Sequence, residues 1–250
     1  MRVIITGAAG QIGTQMVEEL SVDHELCLMD RSPVPGRKSL ITNLSVAHSW
    51  MHWRGWLKTA RFRRWMEMFQ GAAVVLHLAV DQSETVPERQ LLFNNMQTTL
   101  NVIEAAAHHQ VPRIVFASSN WAVKALEREL APSCYMPDGP KIGSDAPPRP
   151  ITSYGIYKAL GEISGRMAVD QGRLGSFVAV RIGSYLPSPP DDERRHRWIG
   201  TQDIRALLRH CVEAEFNGFH VVYGVSAQST APYDLSHTRR LLCWQPRQMT

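Results

Sequence analysis

Met1 to Asp30 reads MRVIITGAAGQIGTQMVEELSVDHELCLMD, and the order of its features decides the fold. Arg2-Val3-Ile4-Ile5 is a short apolar, β-branched run of the kind buried in a parallel sheet. Thr6 to Gly13 follows at once and carries Gly7, Gly10 and Gly13. Ile12, Met16, Val17 and Leu20 then fall on one face of a helix. Glu25 to Met29 reads as a second strand, with Asp30 at its end. The sequence of parts is strand, glycine turn, helix, strand, acid.

Each part has a chemical consequence. Gly7 permits a sharp exit from the strand, Gly10 lets a pyrophosphate approach the backbone, and Gly13 lets the helix pack close to the sheet. Gln11 and Ile12 lie at the helix N-terminus, whose free N–H groups and positive dipole end attract phosphate. Asp30 follows the turn at about 20 residues, where an acid accepts hydrogen bonds from the adenosine ribose and repels a 2′-phosphate. The stretch predicts a dinucleotide cofactor, NAD rather than NADP. Arg31, next along, is the residue that could meet a phosphate instead.

At 250 residues the chain has the length of one large α/β domain, and residues 1–250 are read as a single unit. The net charge of +4 comes from scattered basic residues, which argues against a nucleic-acid partner and is compatible with an anionic small substrate. Cys27, Cys134, Cys211 and Cys243 are isolated, so neither a metal centre nor a disulfide framework is expected. The first strand begins at residue 2, which leaves no room for a signal peptide, and no apolar run approaches the ~18 residues of a membrane span. The expectation is a cytoplasmic protein without a membrane partner.

Further along, Ser39 to Thr42 reads as a third strand and Ala72 to Leu78 as a fourth. Residues 46–70 interleave Trp50, Trp53, Trp56 and Trp65 with basic residues. They read either as a crossover helix packed on the sheet or as an exposed basic face. Leu78, Ala79 and Val80 end the fourth strand where the chain passes beneath the cofactor, and His77 is given a structural part there. Pro87 to His109 is a long helix carrying Asn95 and Asn101, and Arg113 to Ala117 is a fifth strand. Residues 121–152 read as a long proline-rich irregular segment, of the kind that is often functional. A helix from about Ser153 to Gln171, a strand over Phe177 to Arg181, a helix over Thr201 to Phe216 and a strand over His220 to Tyr223 complete the alternation. That alternation predicts a doubly wound parallel sheet, the Rossmann fold, with substrate-binding segments in about 183–250.

Tyr154-Gly155-Ile156-Tyr157-Lys158 is the second motif. Tyr154 and Lys158 share a helix face, and an ammonium beside a phenol favours the phenolate. Such a phenol can take a proton from a substrate hydroxyl while hydride leaves, with Ser119 holding the reacting oxygen. Tyr157 has no lysine four residues on.

The glycine turn, the Tyr154/Lys158 pair and Asn95-Met96-Gln97-Thr98-Thr99-Leu100-Asn101 together resemble the extended short-chain dehydrogenases, with Thr98 where that group's helix motif has glycine. Arg113 to Asn120, Val180 to Ser184 and Val221 to Ala227 resemble the bacterial uronate dehydrogenases more narrowly. That resemblance implies NAD-dependent oxidation of C1 of a hexuronate, or a related acidic aldose, to the aldarolactone. It implies Tyr154 as general base, Lys158 as its partner, and Ser119, Asn120 and Ser184 on the sugar. Ser83 matches a sugar-contacting serine after a shift of one residue. The arginine for the sugar's acid group falls at Glu193 by position and at Arg194 after a slip of one, with Arg195 next. Asn43 and Leu44 fall beside the adenine, and Asn95 and Ile182 also fall to the cofactor. The same superfamily contains nucleotide-sugar epimerases, dehydratases and reductases. A non-catalytic NAD-binding protein is a further alternative, which the intact Tyr154/Lys158 pair disfavours. The resemblance also implies pairing of the two long helices in a homo-oligomer.

Overall fold

The structure, a computed structural model, describes residues 1–45 and 65–247. Seven parallel strands form one sheet in the order β3-β2-β1-β4-β5-β6-β9. They are β1 (Arg2–Thr6), β2 (Glu25–Asp30), β3 (Leu40–Ile41), β4 (Val74–His77), β5 (Arg113–Ser119), β6 (Ser176–Ile182) and β9 (Gly218–Gly224). A small parallel pair, β7 (Ser184–Tyr185) and β8 (Trp198–Ile199), stands apart from it. The chain lays β1, β2 and β3 outward in one direction, then returns to set β4 on the other side of β1. This reversal opens a crevice at the carboxyl ends of β1 and β4, where open α/β sheets bind ligands.

Both faces of the sheet are covered, which is why the strands read as continuous apolar runs. Val3, Ile5, Val74, Leu76, Val115 and Val178 face α1 (Gln11–Leu20) and α5 (Thr201–Glu213). Ile4, Val75, Ile114, Phe116 and Phe177 face α2 (Glu88–His108) and α4 (Ser153–Asp170). Helix α4 lies flush on the sheet because Gly161 and Gly165 face the rings of Phe116 and Phe177. A Cβ at either glycine would come within 2.4 Å of a ring carbon.

The segment after β5, expected to be irregular, is partly helical. Asn120–Val123 forms a 3₁₀ turn that runs into α3 (Lys124–Leu130). Buried ionic bonds organise it, and linear apolar periodicity does not report these. The Glu127 carboxylate accepts from Lys124 Nζ at 2.5 Å, Tyr233 Oη at 2.6 Å, Tyr135 Oη at 2.7 Å and Arg197 Nη1 at 2.9 Å. Val123, Ile142, Tyr223 and Tyr233 form a third apolar cluster beneath it. A short C-terminal helix, α6 (Ser236–Leu242), was not anticipated. Trp65 and Phe69 are buried against the sheet, as a packed crossover requires. Residues 46–64 of that stretch, which include Trp50, Trp53 and Trp56, lie outside the described residues. Cys27, Cys134 and Cys211 are buried free thiols, and Cys243 is exposed. Among the described residues no helix is long and apolar enough to cross a membrane.

Candidate active site

A cavity of about 610 Å³ occupies the crevice at the strand reversal. Gly7, Gly10, Gln11, Ile12 and Gly13 form its floor, Asp30, Arg31, Asn43 and Leu44 one end, and Leu78, Ala79 and Val80 a wall. Ser119, Tyr154, Lys158 and Ile182 close the other end. Gly7 adopts φ +73°, and a Cβ there would stand 2.6 Å from the Ala79 nitrogen. A Cβ on Gly13 would collide with the Gly7 carbonyl oxygen at 2.1 Å, whereas one on Gly10 meets only that oxygen, at 3.2 Å. The turn is thus closed behind Gly7 and Gly13 and open at Gly10. Helix α1 begins at Gly10 without a side-chain cap and without an acid in its first turn. Its leading N–H groups remain available to an anion, so the residues fit a dinucleotide diphosphate.

Asp30 accepts from the Ala9 N–H at 2.9 Å through Oδ2 and from the Ser32 N–H at 3.0 Å through Oδ1, which fixes its carboxylate at the ribose end. Arg31 is turned to Asp81, with Nη1 donating to Oδ2 at 2.8 Å and Nη2 to Oδ1 at 3.1 Å. Those bonds hold the Asp81 carboxyl below its ordinary value and engage the cation that could have favoured NADP. Asn95, expected at the cofactor, is buried instead and clamps the Asp81 backbone. Its Oδ1 accepts from the Asp81 N–H at 2.6 Å, and its Nδ2 donates to the Asp81 carbonyl at 2.9 Å. Asn94, its neighbour, lines the cavity in its place. Asn101 ties α2 to the end of β3 by donating to the Leu44 carbonyl at 2.7 Å.

A second recess of about 400 Å³ opens beside the first. Gln82, Ser119, Tyr154 and Gly183 border both, and Trp121, Thr152 and Ser184 complete the smaller one. Tyr154 thus stands on the wall between them. Burial pushes its phenol above the ordinary value, and bonds from Ser119, Gln82 and Tyr157 draw it partly back. This differs from the expected lowering by Lys158. The Lys158 ammonium lies 5.7 Å from the Tyr154 ring centroid and donates to the Ala117 carbonyl oxygen. Burial lowers the Lys158 amine to about 7, with Glu162 opposing the shift. His77 is a strand-end tie, its ring bonded to Thr6 at 2.7 Å and to Thr99 at 3.2 Å. Burial lowers it to about 3, which keeps it neutral.

Three expected sugar contacts are not brought to the recess. Asn120 is 2% exposed and packs inward, its Oδ1 accepting from Ser119 Oγ at 3.2 Å. Ser83 turns to Thr85, with 2.9 Å between the hydroxyls. Arg194 pairs with Asp192 at 2.7 Å on the exposed 3₁₀ turn Glu193–Arg197. Arg195 faces Asp191 at 3.8 Å, and Glu193 holds the buried Arg197 at 2.9 Å. Sequence reasoning missed Gln82, Trp121 and Thr152. Thr152 carried a signal, since a threonine before a helical run is an N-cap, and its side chain accepts from the Gly155 N–H at 3.1 Å.

Comparison with known proteins agrees with this geometry. A family profile described as the NAD dependent epimerase/dehydratase family matches residues 3–230. The chain is 31% identical to an NAD-dependent glucose-6-phosphate dehydrogenase of Haloferax volcanii, over 98% of this chain and 92% of that protein. It is 27% identical to an L-arabinose 1-dehydrogenase (NAD(P)(+)) of the same organism, over 98% of this chain and 96% of the other. A solved uronate dehydrogenase mutant from Agrobacterium tumefaciens complexed with NAD superposes with a TM-score of 0.78 and 31% identity, covering 99% of this chain and 84% of that one.

Proposed function

Because the chain belongs to the NAD-dependent epimerase/dehydratase family, we propose that it is a sugar dehydrogenase that oxidises the anomeric carbon of an aldose to the lactone. The observation that carries this reading is the position of Tyr154 on the wall shared by the two cavities, with Lys158 one helical turn on. Gly7, Gly10 and Gly13 with the α1 N-terminus would hold the diphosphate, and Asp30 the adenosine ribose. NAD, when bound, supplies the hydride acceptor. The protein's part is to hold C1 toward the larger cavity and to manage the hydroxyl proton. Ser119 receives the C1 oxygen, and the Tyr154 oxygen takes its proton as the C1–H bond breaks and the lactone carbonyl forms.

The relatives' names span a uronate, a phosphorylated hexose and L-arabinose, so an acid group on the sugar is not set by family membership. The expectation of an acidic substrate came from the motif resemblance, and Arg194, the residue expected to meet the acid group, is paired with Asp192. We keep from it the aldose and the position of attack. Incubation of the purified protein with NAD and a panel of free aldoses tests the proposal. NADH should form with at least one sugar, and Tyr154→Phe should remove the activity while leaving NAD binding intact. Absence of turnover across neutral, uronic and phosphorylated aldoses would count decisively against it.

A further inference from the structure

The smaller recess is lined by an indole, a carboxamide, a phenol and three hydroxyls, from Trp121, Gln82, Tyr154, Ser119, Thr152 and Ser184. Among the described residues none of these side chains carries a formal charge near neutral pH. Four basic residues of the neighbouring segments are engaged with carboxylates, and Lys141 donates to the Cys134 and Met136 carbonyls. Lys124 and Arg197 both donate to Glu127, at 2.5 and 2.9 Å. Arg149 donates to Glu129, and Arg194 to Asp192. The α4 N-terminus, which could attract an anion, already has its Gly155 N–H bonded to Thr152. The Trp121 backbone is held on both sides. Its N–H donates to Ser119 Oγ at 3.3 Å, and its carbonyl oxygen packs where a Cβ on Gly155 would sit, 2.5 Å away.

We propose that the sugar is an uncharged aldose, its C–H face laid on the Trp121 indole and its hydroxyls met by Gln82, Thr152 and Ser184. This rests on the dehydrogenase reading of the same site. A carboxylate or phosphate placed there would lose hydration against an indole and neutral donors. The Lys124 ammonium, 5.7 Å from the indole centroid, is already bonded to Glu127, so among the described lining residues no cation replaces that hydration. A hydroxyl-bearing ring loses nothing comparable, because each hydroxyl finds a donor or acceptor and the ring hydrogens meet an apolar plane. A site that hydrogen-bonds substrate hydroxyls also discriminates strongly, since an unmatched partner is left buried and unpaired.

Steady-state NADH formation from glucose, galactose and arabinose, compared with glucuronate, galacturonate and glucose 6-phosphate at two ionic strengths, provides the test. The uncharged sugars should exceed the charged ones by about tenfold or more in kcat/KM, with a KM unmoved by salt. Trp121→Ala should raise KM for the preferred sugar about tenfold with kcat little changed, and Trp121→Phe should restore most of it. Faster turnover of a uronate or hexose phosphate would overturn the inference, as would a Trp121→Ala variant with unaltered KM. Calorimetric binding of the same sugars to NAD-loaded Tyr154→Phe separates the two readings. Uncharged sugars that bind preferentially but are never oxidised by the wild type sink the dehydrogenase reading and leave this one standing. Binding of no uncharged sugar sinks this one.

Discussion

The ammonium of Lys158 lies 5.7 Å from the ring centroid of Tyr154, yet its hydrogen bond goes to the Ala117 carbonyl at the end of β5. Lysine and tyrosine are therefore joined through the sheet, and in the unliganded chain the phenol is raised by burial. At neutral pH it is protonated, so its base form grows as pH rises. Activity should increase from neutral into alkaline solution. A kcat/KM profile that is flat or falling over that range would remove Tyr154 from the role of base.

Tyr154→Phe is expected to lower kcat/KM by about 10²–10⁴-fold, the usual contribution of a positioned general base. The phenyl ring keeps the edge-on contact with Tyr157, whose centroid is 5.4 Å away, so the melting temperature should change little. Kinetics and calorimetry on one preparation check both halves.

Lys158 is charged at a cost. Its folded value of about 7 lies below the ordinary 10.5, so the unfolded chain binds the extra proton between those two values. Stability should rise with pH across that window, and the penalty is fully present below it. Lys158→Met should remove the slope, with a stabilisation at pH 6 on the order of 4 kcal/mol before loss of the Ala117 bond is counted. Denaturant melts of both proteins at pH 6 and pH 10 measure it, and activity should be lost at either.

Glu127 works in the opposite sense. Burial alone would raise its carboxyl, but bonds from Lys124, Tyr233 and Tyr135 and the Lys124 charge outweigh it and hold the group below its ordinary value. Its contribution is present above the unfolded carboxylate value and is lost as pH falls through the lowered one. Glu127→Leu leaves Lys124 buried without its anion and Arg197 with Glu193 alone, and should cost about 3–5 kcal/mol in a denaturant melt. A neutral result would show that the hub is dispensable.

Asp30→Asn keeps an acceptor near the Ala9 and Ser32 amides and removes the negative charge facing a 2′-phosphate. The ratio of NADP to NAD efficiency should rise by about tenfold, the equivalent of 1.4 kcal/mol. An unchanged ratio would place the discrimination elsewhere, with Arg31 and its bond to Asp81 the first residue to alter.

Ile156, Ile163 and Met167 are exposed apolar residues of α4, and Phe93 is exposed on α2, the helix packed against it. The expected outcome is a dimer through these helices, read by light scattering, with Ile163→Glu shifting the mass toward the monomer. A monomeric wild type would dispose of it.

The larger cavity was legible because its chemistry is local in sequence. Gly7, Gly10, Gly13 and Asp30 are fixed by a turn and a strand end, and Tyr154 and Lys158 by one turn of helix. The smaller recess was less so. Gln82, Trp121, Thr152 and Ser184 meet from four separate segments. Asn120 and Arg194 were expected on the sugar, and burial in one case and a neighbouring acid in the other decided their direction instead. Asn95 and Asn94 show the same one-residue limit, since adjacent helix positions point about 100° apart and only one can face a cavity. Glu127 offered no signal, because its partners at 124, 135, 197 and 233 assemble only in the folded chain.

The bare seam between α4 and the sheet has a consequence for how this catalyst can diverge. With no side chain at 161 or 165, the Phe116 and Phe177 rings act as the bearing surface that sets the height of residues 154 and 158. A single added methyl would wedge the helix outward and carry the reacting oxygen off its mark without altering any group that does chemistry. Tolerance to substitution should therefore be lowest along this hidden contact, whereas changes at positions 82, 121 and 184 would alter which sugar is bound while the redox step stays in place.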